Sequence, residues 1–231
     1  MGEGINKYGT RTSRRENPAR PTAPETKVRV NTDKAKTLAA AAAKRDVNAG
    51  LNSKQIATLQ GLESKHATRA TEQINFVDEN GKVIFSKNGT RSSVKLYPTE
   101  SSLMKDMVVT HNHPSDSRMG KGMAMQIGQP INGIDLAGAI RHNAKEIRAS
   151  AQGYVFSVKR PQGGWNANPD QVQRDFMREW RSEQLRSLGY IYKGDRETAM
   201  TRNARWNVAT MNAIMRRLSK LYGFNYTRRR M

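Results

Sequence analysis

Met107-Val108-Val109-Thr110-His111-Asn112-His113-Pro114 is the stretch on which both the fold and the chemistry of this chain turn. The apolar run Met107 to Thr110 has the composition of a buried β-strand. Side chains alternate along a strand with period two, so histidines two apart present their rings to the same face. Pro114 follows at once and ends the strand, because it has no N–H to give to a ladder. The chain holds only 4 histidines, so finding two of them here carries weight. Two imidazoles on one face at a strand end are the beginning of a catalytic metal site; a surface turn that happens to contain histidine is the plainer alternative.

Outward from that strand the sequence keeps switching period. Upstream, Ile74, Phe76 and Val77 form a short strand, Asp78-Glu79-Asn80-Gly81 is a strong turn, and Val83-Ile84-Phe85 is the next strand before the turn Lys87-Asn88-Gly89. Ser93 to Tyr97 reads as a third strand, and Pro98-Thr99-Glu100 caps a short helix through Met104. Downstream, a Met- and Gly-rich loop from Ser115 to Gln129 precedes a helix over about Ile134 to Asn143. Strands follow at Glu146 to Ala149 and Tyr154 to Val158. Residues 71–160 are therefore expected to form a small α+β unit, a mixed sheet with helices.

Helical extensions are expected on both sides of that unit. Residues 1–32, rich in Arg, Pro, Thr and Gly and almost without apolar residues, read as a disordered basic arm. Residues 33–70 read as an N-terminal helical extension. Its first helix carries the alanine block Ala39 to Ala43 behind a Thr32 or Asp33 cap and ends near Asn48-Ala49-Gly50. Its second starts after a Ser53 cap, with Ile56, Leu59 and Leu62 near helical spacing. Beyond the linker Pro161-Gln162-Gly163-Gly164, residues 161–231 read as a basic helical extension. Val172, Phe176, Trp180 and Leu185 mark one helix over Gln171 to Leu188, and Trp206, Met211, Ile214, Met215 and Leu218 another over Glu197 to Tyr222; the Met and Trp positions suit packing better than a cofactor. Gly223 stops the second helix, and Phe224-Asn225-Tyr226 reads as an edge strand before the basic end Arg228-Arg229-Arg230.

Composition bounds the function classes. The formal net charge is +20, from 40 Lys and Arg against 20 Asp and Glu, which favours polyanionic partners: nucleic acid, an acidic protein surface or the interior of a nucleoprotein particle. No apolar stretch approaches the length of a membrane span, and the N-terminus lacks the apolar block of a signal peptide. The expected location is thus cytoplasmic, with no secretion through a signal peptide. Cysteine is absent, so any zinc must be held by His, Asp, Glu and water.

A hydrolytic zinc centre needs three protein ligands, an open position for water, and a base for that water's proton. His111 and His113 supply two ligands, and the third must be an oxygen ligand, for which Asp116 and Asp135 are the candidates. Asp116 lies in the turn directly after the pair, where reaching the same ion is cramped. Asp135 opens the predicted helix, so its carboxylate can project back towards the strand end, although a first-turn acid also suits the helix dipole. For the base, Glu72 at the head of the first strand is best placed and Glu100 second.

This arrangement resembles the JAB/MPN-type (JAMM) metalloprotease motif: a distant Glu, then His-x-His-Pro, a Ser, and an Asp at the start of a helix. The resemblance implies a small JAB/MPN-like domain over the middle of the chain, with His111, His113 and Asp135 as zinc ligands and Glu72 as general base. It is most similar to the JAB-like module of bacterial and phage proteins. There a D-x-x-G-x-V hairpin (here Asp78 to Val83) precedes T-H-N-H-P-S (Thr110 to Ser115), and S-G-I-D-L resembles Asn132 to Leu136. Similar modules end phage minor head or morphogenesis proteins, often before a tail like Leu218 to Tyr226. The chain departs from the pattern in two places. Asn132 stands where the family has the Ser that holds the oxyanion, and Ser117 to Gln129 lengthen the gap between His113 and Asp135.

The resemblance implies a zinc-dependent hydrolase cleaving a peptide or isopeptide-like amide in a protein substrate. The alternative is a non-enzymatic phage head or virion protein that keeps the fold and uses its basic arms on nucleic acid or on phage structural proteins. A metal-dependent nuclease ranks last, because that nuclease motif scatters its His, Asn and His over separate elements. The basic arm generates a prediction of its own. Removing the residues before Asp33 should weaken binding to DNA or RNA and flatten its salt dependence, with metal content unchanged. Absence of nucleic-acid binding by the intact chain at low salt would turn the arms into protein-docking elements.

Overall fold

In the computed structural model, which describes residues 46–66, 69–114, 130–151, 154–191 and 196–231, strand β3 (Val108–Asn112) is buried along its whole length. The basic arm, the alanine block and the loop Ser115 to Gln129 lie outside the described residues. β3 pairs antiparallel with β1 (Gln73–Val77) on one side and parallel with β4 (Glu146–Ala151) on the other. β2 (Val83–Asn88) extends the sheet beyond β1, while β5 (Tyr154–Lys159) and β6 (Asn225–Arg230) extend it beyond β4. The order is β2-β1-β3-β4-β5-β6, and every pair except β3 with β4 is antiparallel. Among the described residues five helices accompany the sheet: α1 (Ser53–His66), α2 (Pro98–Ser102), α3 (Gly133–Arg141), α4 (Pro169–Ile191) and α5 (Arg196–Tyr222). The fold is α+β, as expected, and α3 makes the connection between the two parallel strands.

Strand alternation sorts the side chains onto two faces. On one, Ile74, Phe76, Val109 and Ile147 join Leu136 and Ile140 of α3, Phe176 of α4, and Ile214 and Leu218 of α5 in the main core. On the other, Leu59 of α1 packs on Val77 and Val108. The hairpin between β1 and β2 docks against α1: Gly81 sits at φ +79°, and a Cβ there would come within 2.7 Å of the Lys54 backbone. Among the described residues no helix is long and apolar enough to cross a membrane.

Three regions differ from the sequence expectation. Ser93 to Tyr97 is not a strand, because the backbone of Val94 to Leu96 finds no ladder partner among the described residues. The chain beyond Pro161 to Gly164 is continuous with the core: Val172, Phe176, Ile214 and Phe224 belong to the main cluster, and β6 completes the sheet on β5. The basic end Arg228 to Arg230 is part of that strand, with the Arg228 guanidinium 5.2 Å above the Tyr154 ring.

Under α1 the sheet carries a buried ionic layer. Arg148 is 0% exposed; its Nε lies 2.9 Å from Glu63 and 3.5 Å from Glu146. Arg229 of β6 reaches the other Glu63 oxygen at 3.2 Å. Burial raises the pKa of both carboxyls, and the Arg148 charge opposes that shift. Arg148→Leu leaves two buried acids without their shared cation, so denaturant unfolding should register a loss of about 3–5 kcal/mol. Arg160→Ala, which breaks a half-exposed pair with Asp106, should cost only about 0–1 kcal/mol.

Candidate metal centre

β3 carries His111 and, just past its end, His113 to the face covered by α3. Their Nε2 atoms are 2.9 Å apart, with the rings inclined at 71°. Asp135 completes the group: Oδ1 lies 3.5 Å from Nε2 of His111, and Oδ2 lies 3.4 Å from Nε2 of His113. One ligand atom from each of the three falls within 4.8 Å of the others, a set able to hold a metal ion. Two facing imidazole nitrogens cannot both offer an N–H to the other, so at least one must be bare. A metal ion held by both rings would occupy that shared space.

Local sequence chemistry aims each of these groups. Asn132 caps α3: its Oδ1 accepts from the N–H groups of Ile134 (2.8 Å) and Asp135 (3.1 Å). Asp135 Oδ2 in return accepts from the Asn132 N–H at 2.9 Å, which closes a capping box and fixes the carboxylate. Gly133 lets this first turn sit against α4, since a Cβ there would be 2.7 Å from the Phe176 side chain. The backbone N–H of His113 donates to Ser150 at 3.1 Å, which orders the turn after the strand. The His113 ring also hydrogen-bonds the Pro130 backbone, and because proline has no N–H the acceptor is its carbonyl. Metal-ligating histidines are commonly oriented by such a second bond.

The electrostatics follow from proximity. Burial alone would raise the pKa of Asp135, but His111 and His113 hold it well below the usual carboxylate range. Burial disfavours a charged His113, yet Asp135 and Glu72 outweigh it and the pKa of His113 is raised. Glu72 lines the same cavity, of about 450 Å³, as the three candidate ligands. Burial lifts its carboxyl above the ordinary value; the two histidines work against the shift and Asp135 adds to it. Its position follows from strand parity. Ile74 is the cross-strand partner of His111, and Glu72 shares the Ile74 face.

The structure therefore brings together Glu72, His111, His113, Asn132 and Asp135 around one cavity. Glu100, the second choice for the base, is held elsewhere: it pairs with Lys87 at 2.7 Å and accepts from the Tyr97 N–H at 2.8 Å. Asp116 lies outside the described residues. His66 is a buried core histidine, bonded to Gln73 and Asn75, and burial lowers its pKa to about 4.

Sequence reasoning missed Asn112, the residue between the two histidines. It points to the opposite face, where its Nδ2 donates to the Thr71 carbonyl at 3.0 Å and its Oδ1 accepts from the Gln73 N–H at 2.7 Å. These two bonds bracket Glu72. The Glu72 backbone is in turn tied to Thr90 and Gly89 across the hairpin, at 2.7 and 2.8 Å. A short, strongly bonding amide between two candidate ligands is the one signal that pointed to this role.

No protein-family model, curated protein or solved structure matches this chain.

The purified protein should carry about one zinc ion per chain, and His111→Ala with His113→Ala should abolish uptake in elemental analysis. Zinc competes with protons for both rings, so affinity should fall as the pH drops. The decline should begin above the ordinary imidazole value of 6.5, because the pKa of His113 is raised. Unchanged zinc content in the double variant would remove the assignment.

Proposed function

We propose that this chain is a zinc-dependent hydrolase of the JAB/MPN type that cleaves a peptide or isopeptide-like amide. The observation that carries the proposal is the convergence of two imidazoles and a helix-capped carboxylate on one point, with a second, partly buried carboxyl in the same cavity. His111, His113 and Asp135 would hold the metal. Zinc, when bound, supplies a Lewis acid for the scissile carbonyl and makes water a nucleophile near neutral pH. Glu72 takes the proton from the attacking water and delivers it to the departing amine, and its raised pKa suits both transfers. The Asn132 oxygen is committed to the helix cap, which leaves its NH₂ group to donate to the oxyanion in place of the family's serine.

A place among phage or mobile-element proteins belongs to the same proposal and rests on the motif resemblance. A second reading, a head-associated protein that binds nucleic acid or capsid without turnover, draws its support from the net charge of +20. Turnover separates the two. Zinc-loaded protein incubated with a mixture of peptides and lysine-isopeptides should yield new amine termini detectable by mass spectrometry. Glu72→Gln should lower that turnover by roughly 10²–10⁴-fold while leaving zinc content intact. Full turnover in that variant would dismiss Glu72 as the base, and no turnover in the parent chain would favour the structural reading.

A further inference from the structure

We propose that the cavity beside the metal centre is a subsite for an aliphatic side chain, so that the substrate presents a residue of leucine size, and not glycine, next to the scissile amide. The inference rests on the hydrolase reading above. The candidate ligands and Glu72 account for one part of the cavity only. Ile74, Met104 and Ile147, all buried, line the adjoining part, and the half-buried Val94 and Leu96 line it from the unpaired segment after β2. At about 450 Å³ the cavity falls in the roughly 300–1,000 Å³ range of pockets that enclose small ligands.

Two further observations say what fills it. Ile134, the residue immediately before Asp135, also lines the cavity and is 69% exposed, a large aliphatic surface left in water beside a candidate ligand. Among the described lining residues the one Lys or Arg is Arg141, on the last turn of α3, about 9 Å along the helix axis from Asp135. It is ion-paired with Asp170, so it does not ask for an acidic side chain beside the reacting bond. A pocket walled mainly by carbon, with Ser92, Ser93, Ser101 and His142 as further polar lining, and continuous with groups that act on an amide takes the apolar side chain of a peptide, since that contact removes both apolar surfaces from water.

Calorimetry on the zinc-loaded full chain with glycine hydroxamate and leucine hydroxamate tests this. The leucine compound should bind at least about 10-fold more tightly, the usual scale of discrimination in an apolar pocket. Val94→Trp should erase that preference without changing zinc content or glycine hydroxamate binding, and Leu96→Ser serves the same purpose if the tryptophan variant does not fold. Equal affinities in the parent chain, or a preference that survives the substitutions, overturns the subsite. A chain that takes up no zinc defeats the hydrolase reading instead. The subsite is then decided on zinc-free protein by NMR, where N-acetyl-leucine amide but not N-acetyl-glycine amide should shift the Met104 methyl signal. A response to both amides or to neither overturns it.

Discussion

The side-chain amide of Asn112 stands where the ladder between β1 and β3 would otherwise run on. It supplies both hydrogen bonds that the departing backbone needs, one on each side of Glu72. Because the amide leaves the strand on one face, the rings of His111 and His113 leave it on the other. A single period-two alternation thus fixes two candidate ligands and the backbone that bears the candidate base. The remaining ligand depends on a separate device, the capping box between Asn132 and Asp135, which needs the close approach of Gly133 to Phe176 to bring it over the strand end.

The two faces of the sheet treat charge in opposite ways. Under α1, Arg148, Glu63 and Glu146 are withdrawn from water and compensate one another. Above the other face, His111, His113 and Asp135 converge with no Lys or Arg side chain between them among the described residues, and Glu72 adds a further carboxyl to the same cavity. The first arrangement neutralises itself and needs nothing from outside. The second concentrates Lewis bases, and a divalent cation is the natural complement to such a set.

Much of the candidate centre was legible because it is written in short-range periodicity. The spacing of His111 and His113, the turn Asp78 to Gly81, and Asp135 at the head of a helix each follow from a few adjacent residues. What escaped depends on partners far away in the chain. Ser93 to Tyr97 has strand composition, but a strand exists only beside another, and this one has no partner among the described residues. Arg148 and Arg229 look like solvated charges in the sequence and are drawn inward by a glutamate on α1. Asn112 reads as a spacer until the folded strand reveals what its amide reaches.

The clasp between Arg229 and Glu63 joins residues 166 positions apart, and β6 pairs with β5 only after α4 and α5 have intervened in the chain. On the ribosome the sheet therefore stays open at the β5 edge until β6 has emerged, and the acid on α1 waits for Arg229. Contacts of such sequence separation are slow to form, because the closure entropy of the intervening chain must be overcome before they contribute stability. Removal of β6 would strip the sheet of its outer strand and expose the hydrogen-bonding edge of β5 to other chains. The integrity of β6, and not only of the histidine strand, thus governs whether newly made protein folds or aggregates.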